Sequence, residues 1–298
     1  MKRDKSVAWR RVDGANLDLK GMKVAIVGGT GGIGRALSRF MASRGARVVV
    51  VGQTFRDSGV PGIEFIKADL SLMREAQRAA ALLPTEHLDL LVFTTGIMAG
   101  PTREFTPERI EQDMAISYLS RLVILREIAP RIGKRRSAPR MKPRVFVMGF
   151  PGVGQAGNPD DLNSEKSYGR WVAHMNTVAG NEALVLDAAK RYPHASVFGL
   201  NPGFIKSNIR SNLFGGETLL YRFIEWMTGL LASSAETYAE RITPLLISPD
   251  LEGQSGAMFD RKGQAILPSP KLTDGAYVQA LLAASEVLVS RANVRVAF

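Results

Sequence analysis

The chain has 298 residues, is 45% hydrophobic and 22% charged, and is long enough to bury one large core or two modest ones. It has no cysteine, which excludes disulfides, thiolate zinc sites and cysteine nucleophiles, and only three histidines (His87, His174, His194), which argues against a histidine-rich metal site. The net charge of +11 raises a nucleic-acid partner, yet no recognisable nucleic-acid module accompanies it.

No apolar run reaches bilayer length, and residues 1–11 lack the apolar stretch of a secretory signal. The expectation is a cytoplasmic protein with no integral membrane segment and no nucleic-acid partner. Residues 1–20 read as a basic, partly ordered arm leading into the first strand.

Val24–Val27 is an apolar run typical of a buried parallel strand. Gly28, Gly32 and Gly34 follow, and then Arg35–Met41 reads as an amphipathic helix. Strand, glycine turn and helix are the context of a dinucleotide-binding loop. Gly28 permits the tight turn, Gly32 lets the backbone approach a pyrophosphate, and Gly34 lets helix and strand pack closely. The free N–H groups at the helix start face the anion.

Arg47–Val51 is a second buried strand, followed by the turn Gly52–Arg56 where such folds meet the adenosine ribose. An acidic residue there favours NAD; positions 52–56 have none, and Arg56 can neutralise a 2′-phosphate. That points to NADP over NAD, with a solvated Arg56 as the alternative. Ile63–Ala68 is a short strand ending at Asp69, which reads as the N-cap of a helix from Ser71 through Leu83. Leu88–Phe93 is the fourth strand, closed by Thr94, Thr95 and Gly96.

From Pro107 a long amphipathic helix is expected to about Ile132, with Ile110, Met114, Leu122 and Leu125 on one buried face. The basic run Arg131–Arg136, with Arg140, Lys142 and Arg144, contains Pro139 and Pro143 and no aromatics, so it reads as a solvated loop. Val145–Met148 and Ser196–Leu200 are further strands, with a helix from about Trp171 to Arg191 between them. Leu219, Leu220, Phe223, Trp226, Met227 and Leu230 recur at helical spacing, and Ser233 with Glu236 suggests a capping box for a helix through Leu246. A strand at Gly256–Phe259 and a helix from about Asp274 to Val289 complete the chain. Alternating strands and helices imply right-handed crossovers and a three-layer, doubly wound α/β parallel sheet in a single domain over residues 21–292.

The spacing Gly28-x-x-x-Gly32-x-Gly34, ending Gly32-Ile33-Gly34, resembles the cofactor loop of the short-chain dehydrogenase/reductase family. The resemblance implies cofactor contacts from Gly28, Thr30, Gly31, Gly32, Ile33, Gly34, Gln53, Arg56, Asp69, Leu70, Thr95 and Gly96, with Asp69 beside the adenine. It also implies that Pro202 and Gly203 flank the nicotinamide, that Ser207 stands where the family often has Thr, and that helices over about 208–247 lid the substrate. As bare sequence, the apolar stripe in that span is core packing instead. The family's Asn-Asn-Ala-Gly turn keeps only Gly96 here, with Phe93, Thr94 and Thr95 in the other places. Homo-oligomers are usual in the family.

The chemistry such enzymes perform needs a proton source beside the carbonyl, commonly a Tyr whose pKa is lowered by a nearby cation. Asp161–Tyr168 is similar to the stretch before the active-site helix in the retinol-dehydrogenase-like branch. Continuing without gaps, His174 falls on the Tyr position and Val178 on the Lys position, with Asn181 supporting the register. Ser117 takes the place of the Asn, and Gly149-Phe150 the place of the Ser. All four members are replaced. Tyr168 lacks a Lys four residues on, since Val172 is there, and is expected to pack or bond locally. His174 can exchange a proton near neutrality without a lysine; its alternative is a surface or packed helix residue. Two readings follow: an oxidoreductase of altered mechanism (or a non-redox enzyme reusing the pocket), acting on a small-molecule substrate, and a cofactor- or ligand-binding module without turnover. No metal is expected.

Overall fold

The computed structural model describes residues 1–136, 141–203 and 234–294. Its strands are β1 Lys23–Val27, β2 Arg47–Gly52, β3 Ile63–Lys67, β4 Leu90–Phe93, β5 Arg144–Met148, β6 Ser196–Leu200, β7 Met258–Phe259 and β8 Ala265–Ile266. They form one sheet in the order β3-β2-β1-β4-β5-β6-β7-β8. Pairing is parallel from β3 to β7, and β8 adds an antiparallel edge that the sequence pattern did not announce. The helices are α1 Gly32–Ser43, α2 Met73–Leu82, α3 Gln112–Met114, α4 Ser120–Ile128, α5 Arg170–Arg191, α6 Ala235–Ile247 and α7 Gly275–Ser290.

Strand side chains alternate between two cores, as the two-residue period requires. Val24 and Ile26 face Leu37, Met41 and the α6 residues Tyr238, Ile242 and Leu245. Ala25 and Val27 face the other way, toward α2, α4, α5 and α7. The strand order reverses between β1 and β4, where Val27 pairs with Phe93. Loops leaving the carboxyl ends of those strands diverge there and open a crevice, the usual ligand position in such sheets.

Several boundaries differ from the sequence expectation. The helix expected over 107–132 begins at Gln112, where Glu111 caps the amides of Asp113 and Met114, and passes through a π turn at Ala115–Leu119 before α4. It is not amphipathic: Ser120 through Arg126 are all buried, because α2 and α5 flank it on the sheet. Arg126 is tolerated in that interior by an ion pair to Asp187 at 3.0 Å. Asp69 is not the cap of α2. The amides of Met73 and Arg74 are held instead by Glu108, at 2.6 and 3.3 Å.

The span expected to lid a substrate divides. Residues 204–233, including Ser207, Ser233 and the apolar stripe, lie outside the described residues. From Ala235 onward it is α6, a core helix packed on α1, with Ser234 as its cap through the Thr237 amide. The basic run is also less solvated than expected. Arg135 and Arg136 pair with Glu86 and Asp89, and Arg144 is the first residue of β5, 2% exposed.

The N-terminal arm does not simply lead into β1. It crosses the molecule, with Arg3 bridging Ile266, Asp4 N–H donating to Ala265 O at 3.0 Å and Leu267 N–H to Lys2 O at 2.9 Å. Trp9 Nε1 donates to Gly263 O, and Met1 reaches Asn201. Among the described residues, no helix is long and apolar enough to cross a membrane.

Candidate active site

The crevice at the sheet's reversal point is an open cleft of ≈ 360 Å³. Its floor comes from the turn after β1. Gly28 has φ +92°, and a Cβ there would strike the Thr95 amide at 2.5 Å. Gly34 sits behind the cleft, where a Cβ would run into Thr94 Oγ1 and the Gly28 carbonyl. Gly31, by contrast, faces open space, with Arg56 Nη1 at 3.7 Å as the nearest atom to such a Cβ. No side chain caps α1, so the first-turn amides have no intrahelical acceptor. A glycine cradle with free amides at a helix N-terminus fits a diphosphate.

The structure brings most of the expected cofactor residues to this cleft: Gly28, Thr30, Gly31, Gly32 and Ile33 on one wall, Gln53, Arg56, Asp69, Leu70, Thr95 and Gly96 on the others. Pro202 and Gly203 are not among its lining residues; they follow β6, with the Gly203 amide held by Asn201 Oδ1 at 3.0 Å. Arg56 Nη1 donates to Thr30 O at 3.0 Å, placing the guanidinium across the mouth of the glycine turn. Asp69 Oδ1 accepts from Gln53 Nε2 at 2.9 Å and from the Ser71 amide and hydroxyl. Burial opposes ionisation of Asp69, but those donors outweigh it and hold the carboxyl below its usual range. Asp57, one residue past the ribose turn, accepts from Arg35 at 2.7 Å and Arg39 at 3.1 Å. Thr95 Oγ1 is buried and has no hydrogen-bond partner, a polar atom left over at the cleft wall.

The second part of the site is a cluster on α3, the π turn and α5. His174 Nδ1–H donates to Asp113 Oδ2 at 2.7 Å, and Ser117 Oγ–H donates to Asp113 Oδ1 at 2.5 Å. Asp113 is wholly buried while the His174 side chain is 21% exposed. Ser117 Oγ also accepts the Ile97 amide at 3.0 Å, and Ile97 lines the cleft. Two of the three residues proposed from sequence, His174 and Ser117, therefore share one carboxylate. Tyr168 does not join them; its hydroxyl donates to Gly100 O at 2.8 Å, a distant rather than local bond.

Beneath lies Arg121, fully buried. Its Nη1 donates to Met148 O at 2.8 Å and Asn181 Oδ1 at 2.9 Å, its Nη2 donates to Thr95 O, and Nε has no partner. Burial pushes its pKa down to about 9, with the Asp113 carboxylate opposing, so it remains a cation at neutral pH. Asn181 Nδ2 donates to Ser117 O at 2.8 Å, satisfying a carbonyl where the π turn opens the helix ladder. Asp113 and Arg121 were missed by sequence reasoning. The available signals were the four-residue step from Asp113 to Ser117 and a lone arginine within the run Leu119–Leu125.

Comparison with known proteins agrees with this architecture. Residues 22–139 match the family model described as short chain dehydrogenase. An uncharacterized oxidoreductase of Saccharomyces cerevisiae is 52% identical over 295 residues, covering 98% of this chain and 95% of that protein. Human retinol dehydrogenase 14 is 25% identical over 305 residues, covering 91% and 87%. Among solved structures, a Mycobacterium paratuberculosis protein superposes with TM-score 0.69 at 19% identity, covering 97% of this chain and 100% of its own. The Pseudomonas aeruginosa RhlG/NADP active-site complex does so with TM-score 0.60 at 19% identity, covering 86% and 98%.

Proposed function

The chain belongs to the short-chain dehydrogenase/reductase family, and from that premise we propose that it is an NADP-dependent oxidoreductase of a small carbonyl or alcohol compound, with His174 in place of the usual tyrosine. The observation that carries this reading is the Asp113–His174 pair. A helix histidine with only a structural role needs no buried carboxylate on one ring nitrogen. Here Asp113 fixes Nδ1 as the protonated nitrogen, which leaves Nε2 as the exchanging one, and it balances the imidazolium when that forms. The Ser117 hydroxyl occupies the other oxygen of Asp113, so the carboxylate cannot rotate away.

The nicotinamide supplies and accepts the hydride. The chain's task is position and a proton. The first-turn amides of α1 would hold the diphosphate, Asp69 and Gln53 would border the adenosine end, and Arg56 would meet the 2′-phosphate. Asp57, the next carboxylate along the chain after the ribose turn, is already engaged by Arg35 and Arg39 and does not compete for ribose hydroxyls. During reduction His174 delivers the proton from Nε2 to the developing alkoxide; during oxidation it accepts one. General acid–base assistance of this kind is worth about 10²- to 10⁴-fold.

Spectrophotometric turnover of NADPH with a panel of aldehydes and ketones tests the reading, beside melting-temperature shifts with NADPH and NADH. Turnover that disappears in His174→Ala while the NADPH shift persists supports it. A cofactor shift without turnover across the panel leaves a binding module, which replacement of the usual tetrad by His174, Val178, Ser117 and Gly149-Phe150 favours. No shift with either dinucleotide defeats both readings.

A further inference from the structure

At the amino ends of β1, β4 and β5, on the side of the sheet away from the cofactor crevice, lies a second open cleft of ≈ 520 Å³. Five cations line it, Lys20, Lys23, Arg136, Lys142 and Arg144, against the single carboxylate Asp89. That carboxylate is spent. Oδ1 accepts from Arg136 Nη1 at 3.2 Å, and Oδ2 accepts the Lys23 amide at 2.9 Å. Glu252, the next nearest acid, acts on Arg144 through space and accepts the Lys142 amide at 3.4 Å. Among the described residues neither the Lys20 nor the Lys23 ammonium has a hydrogen bond or ion pair.

Arg144 is the unusual member. It is 2% exposed, yet its donors meet no carboxylate: Nη1 reaches Leu246 O at 3.2 Å, Nη2 reaches Met141 Sδ at 3.2 Å, and Nε has no partner. Burial lowers its pKa accordingly. A buried guanidinium with a free N–H and no directly bonded anion is unfavourable by itself. Of the two other buried arginines, Arg126 has Asp187 as a direct partner, and Arg121 is held by the Met148 and Thr95 carbonyls and the Asn181 amide oxygen, whereas Arg144 has one carbonyl and one thioether. The planar guanidinium fork matches phosphate oxygens, and the lysines add point charges at the rim.

We infer that this cleft is a binding site for a phosphate-bearing small anion, separate from the cofactor crevice. The apolar lining from Met22, Leu90, Leu246 and Ile247 beside the cations suits a phosphorylated compound with an apolar body.

The test is a titration of the full chain with inorganic pyrophosphate at physiological ionic strength, followed by backbone amide NMR shifts. The expected result is a saturable binding event with shifts at 20–23, 87–90 and 141–144, distinct from any event that shifts the glycine turn 28–34. The double variant Lys20→Gln/Lys23→Gln loses at least about tenfold in affinity. Arg144→Met removes an uncompensated buried charge, so it melts no lower than the native chain without ligand and gains nothing on adding pyrophosphate. Shifts confined to Gly28–Gly34 would put the anion in the cofactor loop and overturn the inference. Binding that never saturates, affinity unchanged in the double variant, or tighter retention of a single-stranded oligonucleotide than of pyrophosphate overturns it as well.

Discussion

Nδ1 of His174 donates to Oδ2 of Asp113 across 2.7 Å, joining the first turns of α5 to α3 through a carboxylate with no solvent exposure. The two residues are 61 positions apart. Their meeting fixes the orientation of the histidine proposed to exchange the proton.

Asp113→Asn keeps the shape but replaces one acceptor oxygen by a donor that faces either the Ser117 hydroxyl or His174. The expected outcome is a fall in kcat of about 10- to 100-fold with KM little changed, a smaller loss than His174→Ala. Steady-state kinetics of both variants check the order. Equal losses in the two, with unchanged melting temperatures, would mean that His174 exchanges no proton without the carboxylate behind it.

Gly34→Val pushes into Thr94 Oγ1 and the Gly28 carbonyl, so the turn must move. Isothermal titration should show NADPH affinity reduced by at least about tenfold. Arg56→Ala leaves the turn intact and is expected to weaken NADPH binding while sparing NADH. An equal effect on both dinucleotides would remove Arg56 from the 2′-phosphate.

Asp57 is held below its usual pKa, first by hydrogen bonds from Arg35, with burial opposing. A carboxyl depressed in the folded state contributes stability that is present above its unfolded pKa of 3.8 and lost as pH falls through the folded value. Asp57→Asn therefore costs roughly 1 kcal/mol near neutrality, discounted because Arg35 is 35% exposed and screened. The gap between variant and native melting temperatures should narrow below about pH 4. A gap that stays constant down to pH 3 would assign the loss to packing.

Gly180 lies on α5 where it crosses Tyr118, and a Cβ there would stand 2.6 to 2.7 Å from the ring. In an exposed helix Gly→Ala gains about 1 kcal/mol. Here the ring is fixed by its hydroxyl's 2.9 Å bond to Ser285, so overpacking dominates and Gly180→Ala should destabilise by roughly 1–2 kcal/mol. Urea unfolding measures the sign directly.

The elements readable from sequence are those whose signal is local. Val24–Val27, the three glycines and the helix after them announce themselves within a dozen residues. What failed was long-range. The one-faced pattern assigned to 107–132 broke down because α2, the sheet and α5 enclose α4 from several sides, and no periodicity reports a second neighbour. The capping of α2 by Glu108 needs a partner 35 residues away, so Asp69, which is adjacent in sequence, took its place in the local reading. Asp113 was invisible as a partner for the same reason. Ser117 and His174 were found only through their register against a family pattern.

Edge strands are templates for unwanted pairing. The arm laid along β8 fills that role within one molecule: Lys2 and Asp4 already use the backbone groups of Leu267 and Ala265 that another chain would need. Two copies meeting there must first peel off their own beginnings, so a self-association that leaves the arms in place has to run through the opposite β3 edge or through helix faces. A tag fused ahead of Met1 emerges beside Asn201 and Gly152, close to the stretch after β6.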